Sequence, residues 1–254
     1  MISYADDPRL CDELRRFTAQ ENIFACKIAC LQNSYGTGYD FVRFWIQTDG
    51  SGRTVSAVSK YYSDVTVQLS EDSDIDELRE FLECTGFSSV LSEREIVSCG
   101  EVRQGTVMKL RDRSKCLDRR RRNIESDCYP ELRDVHELLV RCSGRGFEVP
   151  KYEDFLLDMS HKIRHGTGEC IALRQGGRIV SCALTVAQSE KCVIVGAVAS
   201  DPDFRGQGFG SACAAELCSH FEQTVFIMRE KDMHEDLYGN LGFENSGVFY
   251  ITSC

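Results

Sequence analysis

The sequence predicts an α/β protein built on a mixed sheet, on three observations. Residues 193–200 form an almost unbroken apolar run, the pattern of a strand buried on both faces. That run enters a turn, Arg205-Gly-Gln-Gly-Phe-Gly210, and then a small-residue segment, 212–221, that reads as a helix. Upstream, helical spacing gives way to a two-strand hairpin pattern, so helices and strands interleave along the chain.

The elements follow in order. In the first hundred residues, 41–47 reads as a strand, Asp49-Gly-Ser-Gly52 as a turn, and 54–58 and 64–69 as further strands. Ser73 is the expected cap of a helix over 75–84, stopped by Gly86, with a strand over 87–91 after it. Residues 126–142 carry apolar positions at helical spacing, and a second helix begins after Pro150 with Tyr152, Phe155, Leu156 and Met159. Strands over 170–174 and 178–187 meet at Gln175-Gly176-Gly177, a hairpin signal. After the buried strand and the glycine turn come the helix, a strand over 224–228, and Leu237-Tyr-Gly-Asn-Leu-Gly-Phe243.

The glycine turn is where the chemistry concentrates. A turn between a strand and a helix aims several backbone N–H groups one way, backed by the positive end of the helix dipole, and so favours a phosphate. Gly206, Gly208 and Gly210 bring no Cβ against a ligand. The spacing is neither a dinucleotide G-x-G-x-x-G with its acidic partner nor a Walker loop ending in Gly-Lys-Ser/Thr.

Arg205-x-x-Gly208-x-Gly210 after an apolar strand, followed by Leu237-Tyr-x-x-Leu-Gly-Phe243, resembles the GNAT acetyltransferase superfamily over residues 120–254. The resemblance implies a GNAT fold in a domain spanning 126–254, preceded by a basic junction and first strand region over 106–125. It also implies acetyl-CoA as the cofactor, with its pyrophosphate held by the backbone of Arg205, Gly206, Gln207, Gly208, Phe209, Gly210 and Ser211. The pantetheine arm would run beside main-chain groups of Val198, Ala199 and Ser200, one of which polarises the thioester carbonyl. Tyr238 matches the tyrosine used as general acid toward the CoA sulfur, since a phenol of pKa near 10 is protonated at neutral pH. Where many members place Asn seven residues earlier, this chain has Lys231, which can reach a phosphate.

No general base is assigned. Residues 192–199 hold no carboxylate, and His161, His165, Glu169, Glu190 and the terminal carboxylate of Cys254 remain open candidates beside a water chain. The implied activity is acetyl transfer to the amine of a small molecule or an exposed amino group. The alternative is a silent CoA-binding sensor or scaffold of the same fold.

Residues 1–105 read as a smaller degenerate copy of the same fold. Where the later domain has its glycine turn, this one has Leu69-Ser-Glu-Asp-Ser-Asp-Ile75, whose carboxylates repel a phosphate.

Composition narrows the setting. Residues 1–100 hold 17 acidic and 9 basic side chains, which disfavours nucleic acid and favours a cationic acceptor. The run Arg119–Arg122 is the local exception and reads as a solvated junction. No apolar run approaches the roughly 20 residues that span a bilayer, and the first residues do not resemble a signal peptide, so a soluble cytoplasmic protein is expected. The 14 cysteines are scattered without a C-x-x-C pair, which suits buried thiols in a reducing compartment and no metal site.

Overall fold

The computed structural model describes residues 1–98, 100–119, 124–144, 148–231 and 233–253. Two compact units form. The first comprises residues 1–107 with 189–192 and 247–254, and the second 108–188 with 193–246. The division is thus interleaved, where the sequence suggested consecutive segments. Residues 120–122 of the basic run and Cys254 lie outside the described residues.

In the first unit the order is β1 (Ile2–Tyr4), α1 (Pro8–Thr18), α2 (Ile23–Tyr35), β2 (Val42–Thr48), β3 (Thr54–Tyr61), β4 (Asp64–Leu69), α3 (Ile75–Thr85) and β5 (Ser89–Ser92). Then follow β6 (Glu101–Leu110) and a short helix, α4 (Arg113–Asp118). The second unit continues with β7 (Glu125–Asp127), α5 (Leu132–Cys142), α6 (Tyr152–Arg164), β8 (Cys170–Gln175), β9 (Arg178–Gln188), β10 (Cys192–Ser200), α7 (Phe209–Cys218), β11 (Thr224–Glu230), α8 (Glu235–Gly239) and β12 (Phe243–Ser253).

The two series repeat one topology. Strand, helix, helix, three strands, helix, strand describes both β1 to β5 and β7 to β11 with their helices, and in each the strands lie side by side in chain order. In the first unit β2, β3 and β4 are antiparallel neighbours and β4 pairs parallel with β5, Val65 opposite Val90. A parallel pair requires a crossover, which α3 provides. The C-terminal part of β12 closes this unit, Tyr250 to Ser253 running antiparallel to β5.

Two helices, α1 and α2, and the strand β1 are absent from the sequence-based assignment. Their signals are local: Asp7 caps α1 by accepting the Leu10 N–H at 2.9 Å with Pro8 at the first helical position, and Asn22 caps α2 by accepting from Phe24 and Ala25. Helix α2 is apolar nearly all round, with Ile23, Phe24, Ala25, Cys26 and Ile28 buried, and such a segment has no amphipathic period to read.

Three boundaries also move. Asp74, not Ser73, caps α3 by accepting the Glu77 N–H, while the Ser73 hydroxyl donates to the Val55 carbonyl. The helix expected over 126–142 starts only at Leu132, because 125–127 pairs with β8 and Pro130 intervenes. Helix α7 begins at Phe209, three residues before the expected start, so that it springs from the glycine turn itself.

The core of the second unit lies around α7, whose Phe209, Ala212, Cys213, Ala214, Ala215, Leu217 and Cys218 are buried with Val193, Val195, Val225 and Ile227 of β10 and β11. The segment Leu241-Gly-Phe243 is held by backbone: the Gly242 carbonyl accepts from the N–H groups of Arg111 and Asp112. Gly242 has φ +89°, and a Cβ there would stand 2.1 Å from the Asp112 carbonyl oxygen. Gly242→Ala is therefore expected to cost about 3 kcal/mol or more, as other combined backbone-strain and overlap changes do. Urea unfolding measures it, and a loss under about 1 kcal/mol contradicts this packing.

Candidate active site

The site is built from the end of β10, the turn after it and the start of α7. Strand β10 pairs with β9 through two register shifts, one between Ile194 and Val195 and a second between Gly196, opposite Leu184, and Ala199, opposite Cys182. Three residues on β10 match two on β9, so one extra residue bulges from the ladder and turns the strand. Ala197, at φ +47°, takes the left-handed conformation this requires. Gly196 is the residue that permits it, since a Cβ would meet a Val186 methyl at 2.6 Å. Beyond the bulge the carbonyl of Ala199 accepts from the Ser181 hydroxyl at 2.7 Å, and that of Ser200 from the Cys142 thiol at 3.2 Å.

A buried carboxylate then fixes the approach to the turn. Asp201 is 1 % exposed and accepts at Oδ2 from Arg178 at 2.7 Å and Arg141 at 3.3 Å, and at Oδ1 from the Asp203 N–H. Burial alone would raise its pKa. The Asp203 N–H, the Arg178 hydrogen bond and the charges of Arg178 and Arg141 outweigh that and hold it below the ordinary carboxylate value. Arg178 also lies over the Phe204 ring, 5.6 Å from its centre, and Phe204 meets Phe209 edge-on. One arginine thus ties together β9, the single 3₁₀ turn Pro202–Phe204 and the first residue of α7. The signal for this clamp was Asp201-Pro202, the same capping dipeptide as Asp7-Pro8.

The turn itself places Arg205, Gly206, Gln207 and Gly208 in solvent. Gly206 and Gly208 have φ +75° and +77°, which glycine adopts without strain. Gly208 is the N-cap of α7 and has no side chain with which to satisfy the first-turn N–H groups. At Gly210 a Cβ would approach the Ser200 hydroxyl to 2.9 Å and Val198 Cγ1 to 3.8 Å. The missing Cβ lets the helix start press against the end of β10, so Val198, Ala199 and Ser200 and the turn 205–211 form one surface.

The equivalent junction in the first unit is closed by its own side chains. Between β4 and α3, Asp74 caps the helix, Asp76 and Glu77 sit in its first turn, and Asp72 pairs with Arg53 at 2.6 Å. The first-turn positive end that α7 offers is met there by carboxylates of the chain itself.

The other sequence candidates are placed less uniformly. The Tyr238 ring is buried in the cluster with Phe209, Ala212 and Cys213, edge-on to Phe243, and burial with the nearby Cys218 pushes its pKa up to about 12. Lys231 is exposed in the turn after β11, and among the described residues no contact ties it to the glycine turn. His161 and His165 stack on each other at the end of α6. Glu169 pairs with His220 at 2.9 Å, beyond the C-terminal end of α7. Glu190 is exposed in the 189–192 segment of the first unit.

Residues 132–243 match the family model "Acetyltransferase (GNAT) family". This part of the chain is a GNAT domain. No curated protein matches the sequence. Among solved structures, the whole chain is similar to a Drosophila protein, with 14 % identity, 98 % of that chain covered and a TM-score of 0.67. It is likewise similar over its whole length to a tandem GNAT protein from the clavulanic acid biosynthesis pathway, with 11 % identity, 98 % of that chain covered and a TM-score of 0.61. A third similar structure is a GNAT-family acetyltransferase from Colwellia psychrerythraea, with 7 % identity, both chains fully covered and a TM-score of 0.59. The α/β mixed-sheet class and the GNAT fold therefore hold, the first unit included, and the GNAT domain has the fold of acyl-transferring enzymes. No helix among the described residues is long and apolar enough to cross a membrane.

Asp201→Asn should leave the turn of the GNAT domain under-anchored. The exposed halves of Arg141 and Arg178 can rehydrate, so the expected loss is about 1–3 kcal/mol. Because the carboxyl pKa is depressed on folding, its contribution is present above its ordinary value of 3.8 and fades as pH falls below it. Unfolding curves of both proteins should converge on acidification, and curves that stay parallel contradict the clamp.

Proposed function

We propose that the GNAT domain is an acetyl-CoA-dependent N-acetyltransferase acting on the amine of a small molecule or an exposed amino group. The observation that carries this is the uncapped start of α7 at Gly208, pressed against the bulged end of β10 through Gly210. The residues fit the cofactor on structural grounds: positive φ at Gly206 and Gly208, no side-chain cap, and a cradle at Gly210 that a Cβ would fill. Backbone N–H groups of 206–211 would hold the pyrophosphate, with the helix end supplying roughly half a positive charge. Acetyl-CoA, when bound, supplies an acetyl group activated as a thioester.

The chain's own groups then have defined tasks. The bulge at Ala197 frees main-chain groups around Val198 from the ladder so that they can orient the pantetheine arm and polarise the thioester carbonyl. Tyr238 keeps its proton throughout the physiological range and serves as the acid toward the leaving sulfur. Deprotonation of the amine is left to water, since strand β10 carries no carboxylate near the bulge. The acidic balance of residues 1–100 favours a cationic acceptor. The second reading, a CoA-binding sensor without turnover, is favoured by the burial of Tyr238 and by a β10 strand without a carboxylate.

Calorimetry of acetyl-CoA binding to the native chain and to Gly208→Glu tests the cofactor site. Tight binding in the native chain and a loss of at least about 100-fold in the variant are expected, from one negative charge added at a helix start that must hold an anion and a β-carbon at positive φ. Equal affinities overturn the site. Tyr238→Phe should lower kcat by about 10²-fold or more with little change in KM. In the native enzyme no alkaline fall below pH 10 should arise from this tyrosine, because its ionisation lies at about 12. A Phe variant with full kcat removes the acid role, and acetyl-CoA binding without transfer to any amine in a broad panel supports the sensor.

A further inference from the structure

Arg229 is a buried cation that the proposed chemistry does not use. It is the penultimate residue of β11 and 7 % exposed. By the period of a strand it shares a face with Val225 and Ile227, which pack into the cluster with α7 and Tyr238. A guanidinium has five N–H donors and no acceptor, and all of them need partners when buried. Here Nη2 meets the half-exposed Glu235 of α8 at 3.1 Å, and Nη1 donates to the Glu230 carbonyl at 3.3 Å. Nε is buried with no hydrogen-bond partner.

An orphaned donor on a buried cation is costly unless something completes it. The residue stands at the carboxyl end of β11, beside β10 in the sheet, where ligands enter open α/β sheets. The glycine turn offers dipoles to an anion and one exposed cation, Arg205. Arg229 adds a second, buried charge whose Nε donor is unmatched, on the strand next to β10.

We propose that Arg229 is an anion-binding residue of the acyl-CoA site, donating through Nε to a phosphate oxygen of the bound cofactor. This inference rests on the acyl-CoA reading above. Glu235 is then the internal competitor that holds the guanidinium until the ligand arrives.

The test is calorimetry with acetyl-CoA, 3′-dephospho-acetyl-CoA and acetyl-pantetheine, on the native chain, Arg229→Gln, Arg229→Lys and Glu235→Gln. Arg229→Gln should weaken acetyl-CoA about tenfold or more, the worth of a hydrogen bond to a charged group, and leave acetyl-pantetheine unchanged. An equal loss with the dephospho ligand assigns the pyrophosphate, and a smaller loss assigns the 3′-phosphate. Glu235→Gln, which removes the competitor, should bind acetyl-CoA as tightly as the native chain or more tightly. Unchanged acetyl-CoA affinity in Arg229→Gln, equal losses for acetyl-pantetheine, or equal weakening by both variants would overturn the proposal, the last because it marks a pair that only holds α8. If Arg229→Gln does not fold, Arg229→Lys decides: weaker binding supports the fork, and native affinity overturns it. A native chain that binds no acetyl-CoA defeats the cofactor reading as a whole, which is a separate result.

Discussion

A helix start without a capping side chain is a debt that most helices settle internally, with a Ser, Asp or Asn that accepts the first N–H groups. In this chain α1, α2 and α3 do so through Asp7, Asn22 and Asp74. Helices α5, α6 and α8 lack such a cap but carry carboxylates in the first turn, Asp134, Glu153 with Asp154, and Glu235 with Asp236, whereas α7, with Gly208 at its N-cap, has neither. The open helix start depends on that difference. The bulge at Ala197 turns β10 toward it, the absent Cβ of Gly210 lets the two meet, and the buried Asp201 carboxylate with Arg178 and Phe204 holds the intervening turn in place.

The repeat of one topology in both units makes the contrast unusually direct. The same strand-to-helix junction occurs twice in one molecule, once with carboxylates at the cap, in the first turn and in an ion pair with Arg53, and once with glycines. Identical architecture therefore supplies a satisfied helix end in the first unit and an open one in the second. Folding needs only the former; ligand binding needs the latter. This separates what the fold contributes from what a few residues add to it.

Much of this was legible in the sequence, for physical reasons that differ by element. The glycine turn, the buried strand and the Leu-Gly-Phe segment could be read because they demand particular residues: positive φ at Gly206 and Gly208, and no room for a Cβ at Gly242 against Asp112. The carboxylates between β4 and α3 were equally plain. Helix α2 was missed because a nearly all-apolar helix lacks a period, and α1, as long as the α3 that the sequence did show, was missed although Asp7-Pro8 marked its start, as Asn22 did for α2. The Asp201 clamp depends on Arg141 and Arg178, 60 and 23 residues away, and no local pattern joins them. Arg229 was invisible for the same reason, since only the folded strand shows that its Nε is buried and unmet.

The central claim is that the open start of α7 is the anion site. Its most direct test is the amide spectrum of residues 206–211 as acetyl-CoA is added. Large, saturable shifts concentrated at Gly208, Gly210 and Ser211, with none at Asp74 to Glu77 of the first unit, are the expected result. Binding that leaves those three amides unmoved, or that shifts the α3 start instead, would contradict the account.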